Sequence, residues 1–203
     1  MKEPRYKIKT AASIAPVALA EFKRNLHIGA QDETDSTQDT YLQEILDYVT
    51  EGVQQDIGRR LCRETWYGYL DDFPDTDEDG NYDLLITLGP VEAVSSVKYY
   101  PDGSSSLTTM TATDYQLSNI ELTARLRFFK TYSVDSDKMD QVVIEFTNGW
   151  ATAAEVPKQI RQAIVLLATE FYLNPENMQL NFGMALKQSA AERLLRNYRV
   201  QRF

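Results

Sequence analysis

The densest cluster of potential metal ligands is the run Asp75-Thr-Asp77-Glu-Asp79-Gly80-Asn81-Tyr82-Asp83. Its spacing invites comparison with a calcium-binding EF-hand loop. That loop places oxygen ligands at positions one, three and five, glycine at six and a bidentate Glu at twelve. Asp75, Asp77, Asp79 and Gly80 fit, but position twelve is Ile86, which has no donor atom. The flanks read as strands, whereas an EF-hand needs helices. The run is therefore expected to be an acidic, solvated hairpin loop, with calcium binding the disfavoured alternative.

His27 and Cys62 are the chain's only histidine and cysteine. His27 falls at the end of a short helical stretch without a cysteine or carboxylate cluster nearby, so a surface or capping role is expected. Cys62 stands beside Arg59, Arg60 and Arg63, whose charge could lower a thiol pKa. No base accompanies it, so a small buried filler is the simpler reading. One cysteine can build neither a disulfide framework nor a thiolate metal site. The thirty acidic residues give no pair distinguished by spacing or apolar framing, so a glycosidase-type dyad has no specific support. The sequence has no phosphate-cradling glycine loop, nucleophile elbow or Cys-x-x-Cys. No catalytic, cofactor or metal residue is assigned, and the chain is not expected to be an enzyme.

Non-catalytic residues also need elements to position them. The organising stretch is residues 35–61, where Leu42, Ile45, Leu46, Val49, Val53 and Ile57 recur at intervals of three and four. That spacing places them on one helix face. Ser36 and Asp39 have capping-box spacing. Asp39, Glu44, Asp47, Glu51 and Asp56 keep the other faces wet, and Arg59, Arg60 and Arg63 suit the negative end of the helix dipole. A short helix is expected over 16–26, opened by Pro16 and ended by Gly29. A second striped helix follows Pro157, with Ile160, Ala163, Ile164, Leu167, Ala168 and Phe171 on one face, stopped by Asn174-Pro175. The two stripes are expected to pack together. Residues 186–198 read as a last helix, leading into a segment rich in Arg, Tyr and Phe.

Between the helical parts the texture is β-prone. Residues 65–70, 84–88, 94–100, 114–117, 125–129 and 141–146 lie between turn signals such as Gly89-Pro90, Pro101-Asp102-Gly103 and Asn148-Gly149. They are too short and closely spaced for βαβ units. The expected fold class is α+β: a helical bundle of long amphipathic helices with an inserted antiparallel β-subdomain. The expected divisions are 1–64, helical; 65–150, β-rich; and 151–203, C-terminal helices and arm, with the helical parts packing as one domain.

The 203 residues allow one substantial core, or one core and a satellite. A formal net charge of −9 argues against binding nucleic acid along the average surface, since phosphate contacts need Lys and Arg. It does not prevent the chain from surrounding DNA without gripping it. Neither a secretory signal nor a membrane span is read in the sequence.

Several segments, taken in order, resemble the head–tail connector (adaptor) proteins of tailed bacteriophages and gene-transfer particles. They are Pro16-Val-Ala-Leu-Ala-Glu-Phe-Lys23, Val53-Gln-Gln-Asp-Ile-Gly-Arg-Arg-Leu61, Thr65-Trp66, Leu88-Gly-Pro-Val-Glu-Ala-Val-Ser-Ser-Val97, Asp114-Tyr115, Phe146-Thr-Asn-Gly149, Val156-Pro-Lys-Gln-Ile-Arg-Gln-Ala-Ile164 and Glu192-Arg-Leu-Leu-Arg-Asn-Tyr-Arg199. The resemblance covers most of the chain. Asn197 stands where those proteins commonly carry proline.

The resemblance implies a structural virion protein at the head–tail junction, assembled in the host bacterial cytoplasm. Such proteins form a homo-oligomeric ring, usually of twelve subunits, between the portal protein and a tail-side neck or stopper protein. DNA passes through without specific binding, and no cofactor or membrane is involved. The C-terminal arm would dock on the portal, making Arg193, Leu194, Leu195, Arg196, Tyr198, Arg199 and Phe203 the docking candidates. Asp39, Glu44, Asp47 and Glu51 are the candidates for facing the lumen. The alternative is a ligand-binding module in which Trp66, Tyr67, Tyr69, Tyr99 and Tyr100 grip a sugar or peptide.

Overall fold

The computed structural model describes residues 4–28, 36–76, 80–135, 137–175, 182, 183, 186 and 189–200. The chain divides into two units, one of Met1–Ser13 with Cys62–Trp150 and the other of Ile14–Leu61 with Ala151–Phe203.

The first unit holds two antiparallel sheets. Its strands are β1 (Arg5–Thr10), β2 (Glu64–Leu70), β3 (Tyr82–Ile86), β4 (Val91–Tyr99), β5 (Thr108–Thr109), β6 (Tyr115–Ser118), β7 (Ala124–Phe128) and β8 (Val142–Asn148). Five strands pair in the order β1-β2-β8-β4-β5, and three in the order β3-β7-β6. Strands β2 and β8 alternate buried and half-buried residues along their full length, as a sheet with one core face requires. Trp66, Leu84, Leu126, Phe128, Ile144 and Phe146 belong to a single apolar cluster. Tyr6 meets Phe146 edge-on at 5.9 Å, and Phe73 meets Phe128 edge-on at 5.5 Å.

The second unit is helical: α1 (Leu19–Asn25), α2 (Asp39–Ile57), α3 (Lys158–Leu173) and α4 (Ala191–Leu195) among the described residues. All six apolar stripe residues of α2 are buried. Burial of such side chains contributes about 1.5–3 kcal/mol each. Helix α2 lies against α3, where Tyr48 meets Phe171 edge-on at 5.6 Å. The Arg161 guanidinium on α3 reaches Glu21 on α1 at 2.6 and 2.8 Å. Gly52 stands inside α2, where glycine costs about 1 kcal/mol relative to Ala. The reason is the Phe182 ring: a Cβ at Gly52 would lie 2.5 Å from it.

The expected bundle of long amphipathic helices with a β insert is overturned. The four described helices span 7, 19, 16 and 5 residues, and two antiparallel sheets make up the other unit. The helices are shorter than their apolar patterns suggest because local backbone chemistry stops them. Helix α2 ends at Gly58, which adopts left-handed geometry with φ +68°. At its start Gln38 is the N-cap, without a side-chain cap bond. The Ser36 carbonyl accepts the Asp39 N–H at 3.1 Å, and the Asp39 carboxylate is taken by Lys23 Nζ at 2.7 Å. The expected capping box is therefore absent; residue 35 lies outside the described residues.

Helix α1 is closed by His27, not by Gly29. His27 takes φ +57°, its N–H bonds the Arg24 carbonyl, and the Ile28 N–H bonds the Lys23 carbonyl. These two bonds form a Schellman closure. The expected helix over 186–198 reduces to α4 followed by a 3₁₀ turn at Arg196–Tyr198.

Each of the six strands read from the sequence is present, but β1 and β5 were not expected. Strand β1 carries Arg5, Lys7 and Lys9 and is mostly exposed, with a register shift between Ile8 and Thr10. Lysines and a bulge are common on edge strands, where they discourage further pairing. The same features hide such a strand from a hydrophobic pattern search.

Candidate interaction surfaces

The basic C-terminal segment is held against the end of α2. Gly58 turns the chain, and the Val200 N–H then donates to the Ile57 carbonyl at 2.9 Å. Arg199 clasps Asp56 through Nε at 2.9 Å and Nη2 at 3.1 Å, with Glu192 further off at 3.7 Å. This geometry holds the Arg199 guanidinium above its ordinary pKa, chiefly through the bond to Asp56. Arg59 is 6% exposed and donates from Nε to the Tyr198 carbonyl at 2.7 Å. Burial lowers its pKa. The Tyr198 hydroxyl reaches Gln159 Oε1 on α3 at 3.0 Å.

The docking candidates therefore sit in two kinds of place. Leu195 is fully buried, and Tyr198 and Arg199 are engaged within the unit. Leu194 is half-buried. Arg193 and Arg196 are exposed, three residues apart, and neither has an ion-pair partner among the described residues. Phe203 lies outside the described residues.

Of the acidic candidates on α2, Glu44, Asp47 and Glu51 are exposed. Their three-and-four spacing puts them on one face. Gln43 donates to Asp47 at 2.8 Å and Gln55 to Glu51 at 3.2 Å. Asp39 is set apart by its ion pair to Lys23.

The residues first considered for chemistry are otherwise occupied. Cys62 is buried, and burial pushes its thiol up to about 11, with a smaller contribution from Glu64. A thiol of that acidity is a poor nucleophile near neutral pH. In the acidic run, Asp83 sits in β3 and pairs with Arg127, while Asp77 and Asp79 lie outside the described residues. Among the described residues no group of three His, Cys, Asp or Glu side chains is placed to hold a metal ion. The aromatic set proposed for ligand binding is split. Trp66 and Tyr99 are in the core, with the Trp66 indole donating to Glu64 at 2.8 Å. Tyr67 and Tyr69 are half-buried with ring centres 6.0 Å apart, and Lys9 Nζ lies 5.3 Å from the Tyr67 ring centre. Among the described residues no helix is long and apolar enough to cross a membrane.

One surface had no signal strong enough to be found from sequence. Along β7, Arg125 and Arg127 face away from the core, opposite Ser118 and Gln116 of β6. These four residues line a concavity of about 280 Å³. Arg127 grips Asp83 of β3 through Nε at 2.7 Å and Nη2 at 2.8 Å. That bond is the main reason the Asp83 carboxyl lies below its ordinary pKa. The sequence reading took residues 125–129 only as a strand and singled out neither arginine.

The fold is thus a two-part chain, one part antiparallel sheets and the other helices. It is similar to solved structures of neck and virion proteins. No family model matches the chain, and no curated protein matches it. A chain in the neck of an empty gene transfer agent particle, computed with C6 symmetry, is 18% identical. The match covers 98% of this chain and 97% of that one, with a TM-score of 0.76. A chain in the virion of a native gene transfer agent particle is 19% identical over 98% of this chain and 96% of that one, with a TM-score of 0.71. A chain in the neck of a native particle, computed with C12 symmetry, is 17% identical over 97% of each chain, with a TM-score of 0.65. At these identities the likeness establishes the shared fold.

Proposed function

We propose that this chain is a structural protein of a phage-like particle neck, a head–tail connector that forms a ring between portal and tail and performs no catalysis. The observation that carries the reading is the similarity to a gene transfer agent neck chain over nearly the full length of both chains, at a TM-score of 0.76. The C12 symmetry with which one such neck was computed supports a ring of twelve copies. Ring closure uses a heterologous contact, one patch meeting a different patch on the neighbour. The exposed acidic face of α2, Glu44, Asp47 and Glu51, turns to the lumen, where like charge lets DNA pass without adhering.

Docking on the portal falls to Arg193 and Arg196, the two cations of the C-terminal segment that are exposed among the described residues. Arg199, Tyr198 and Leu195 fix the position from which that pair is presented. The tail-side face receives a neck or stopper protein, and the particle assembles in the host bacterial cytoplasm.

The test is electron imaging with particle-mass measurement of the full chain, alone and mixed with the portal of its particle. A closed ring seated on the portal is expected, with binding weakened by R193A together with R196A. A protein that stays monomeric and ignores the portal overturns the reading.

A further inference from the structure

The turn between β6 and β7 has a tip that local chemistry does not explain. Turns favour Gly, Pro, Asn, Asp and Ser. Here Asn119 is followed by Ile120, a β-branched residue that is 94% exposed. The tip is also braced. Asn119 Nδ2 donates to the Val91 carbonyl at 3.3 Å and to the Glu92 carbonyl at 3.0 Å, both on β4. Ile120 is therefore held out into water on a fixed turn, and a preordered apolar group loses little freedom when a partner covers it. The other strongly exposed apolar side chains are less suited to enter a recess. Met139 stands between Lys138 and Asp140, each ion-paired, and desolvating those charges would oppose entry. Phe129 and Leu173 are less exposed and rest partly on their own chain.

The helical unit carries a recess of complementary character. It has a volume of about 460 Å³ and is lined by Ile14, Val17, Leu19, Ala153 and their small neighbours, with Gln43 and Thr152 the polar side chains. An apolar cavity of about 150 Å³ accommodates benzene, so this one has room for an isoleucine side chain. The backbone around it is already bonded. The Ala151 N–H donates to Glu155 Oε2 at 3.0 Å, and the Thr152 carbonyl accepts the Glu155 N–H at 3.2 Å. The Ala18 carbonyl accepts the Glu21 and Phe22 N–H groups at 3.0 and 3.1 Å. The recess thus offers mainly hydrocarbon, with the Thr152 hydroxyl as a donor. Thr152 is exposed, as is Glu121, the residue after Ile120.

We propose that Ile120 of one copy of this chain inserts into the Ile14–Val17–Ala153 recess of a second copy, where the Thr152 hydroxyl donates to the Glu121 carboxylate. Knob and recess are different patches, so the contact is head-to-tail. One protruding apolar side chain seated in a neighbour's pocket is enough to direct such assembly, which closes into a ring if the rotation allows. The proposal rests on the neck reading only for the presence of a second copy alongside.

The experiment uses the full chain with a photo-crosslinking amino acid in place of Ala15, which lines the recess and is exposed. It is mixed with isotope-labelled chain so that joins between copies are distinguished from joins within one. Irradiation is expected to connect position 15 to the peptide containing Ile120 of the other copy. I120D should cut that yield about tenfold or more, because a carboxylate would enter hydrocarbon, whereas I120V should keep most of it. An unchanged Tm for I120D shows that the loss is one of contact, since Ile120 is exposed. A153F, which fills the recess and leaves Ile120 intact, should also cut the yield. A join within a single chain, a join to any other peptide, no join at all, or a yield indifferent to I120D overturns the contact. A ring that forms normally with I120D sinks this contact and leaves the neck reading standing. A chain that joins its copies at Ile120 but never seats on the portal sinks the neck reading and leaves the contact.

Discussion

Each unit turns its chain at a glycine of positive φ, but against different material. In the sheet unit Gly149, at φ +83°, passes so close to Cys62 that a Cβ would lie 2.1 Å from its carbonyl oxygen. In the helical unit Gly58, at φ +68°, has the Val200 side chain as its nearest obstacle, 3.3 Å from a Cβ. Backbone fixed in a ladder cannot yield, whereas a valine methyl can rotate away. The sheet unit is therefore closed by backbone geometry. The helical unit is closed by side chains and one added hydrogen bond.

The largest expected effect is at the first glycine. Gly149→Ala meets both a left-handed backbone and a collision with the Cys62–Trp150 bridge. It should destabilise the sheet unit by about 4 kcal/mol, a fall in Tm on the order of 10 °C by calorimetry. Gly58→Ala carries chiefly the left-handed penalty of about 1–2 kcal/mol. If the two substitutions prove equal in cost, the contrast between the units fails.

Next comes the buried thiol. Cys62 should resist a thiol-labelling reagent in the native state at pH 8 and react once the sheet unit opens, so its labelling rate reports that unit alone. Its folded pKa is raised above the ordinary value of 9.0 to about 11. The associated stability is fully present below pH 9 and is lost as pH rises through about 11. Rapid labelling of folded protein would contradict the buried placement.

Asp83 gives the opposite sign. Its folded pKa lies below the ordinary 3.8 because Arg127 binds the charged form. The stability it contributes is present above pH 3.8 and lost as pH falls below that value, through the depressed folded pKa. D83N should flatten the acid limb of a stability–pH curve, and an unchanged limb would show the pair to be inconsequential.

The smallest effect sharpens the comparison from the helical side. D56N removes the charged partner of Arg199, whose side chain is 32% exposed, so global stability should fall by less than about 1 kcal/mol. The Val200 amide, bonded to the Ile57 carbonyl, should nonetheless lose much of its protection from hydrogen exchange. Unchanged protection at Val200 would mean that Arg199 does not hold the segment.

Much of this was legible without coordinates. The stripe from Leu42 to Ile57 needs only a 3.6-residue period and is fully buried. The six strands bounded by Gly89-Pro90, Pro101-Asp102-Gly103 and Asn148-Gly149 needed only turn chemistry. Helix lengths were misread because apolar periodicity continues past points where the backbone stops. His27 ends α1 through a left-handed conformation that the sequence assigned to Gly29, and Ser36 spends its carbonyl on a turn. Strand β1 was missed because an exposed edge needs no apolar pattern.

The sequence by itself determined which residues are apolar at helix or strand period, where proline and glycine can break them, and that the chain is acidic with one concentrated run. These follow from short-range sterics and hydrophobicity, which act within a few residues. Tertiary structure alone decided that Arg199 meets Asp56, that Gly52 makes room for Phe182, and that Arg127 and Arg125 both meet Asp83. Those partners are separated by 42 to 143 positions, and only packing of the folded chain fixes which charges meet.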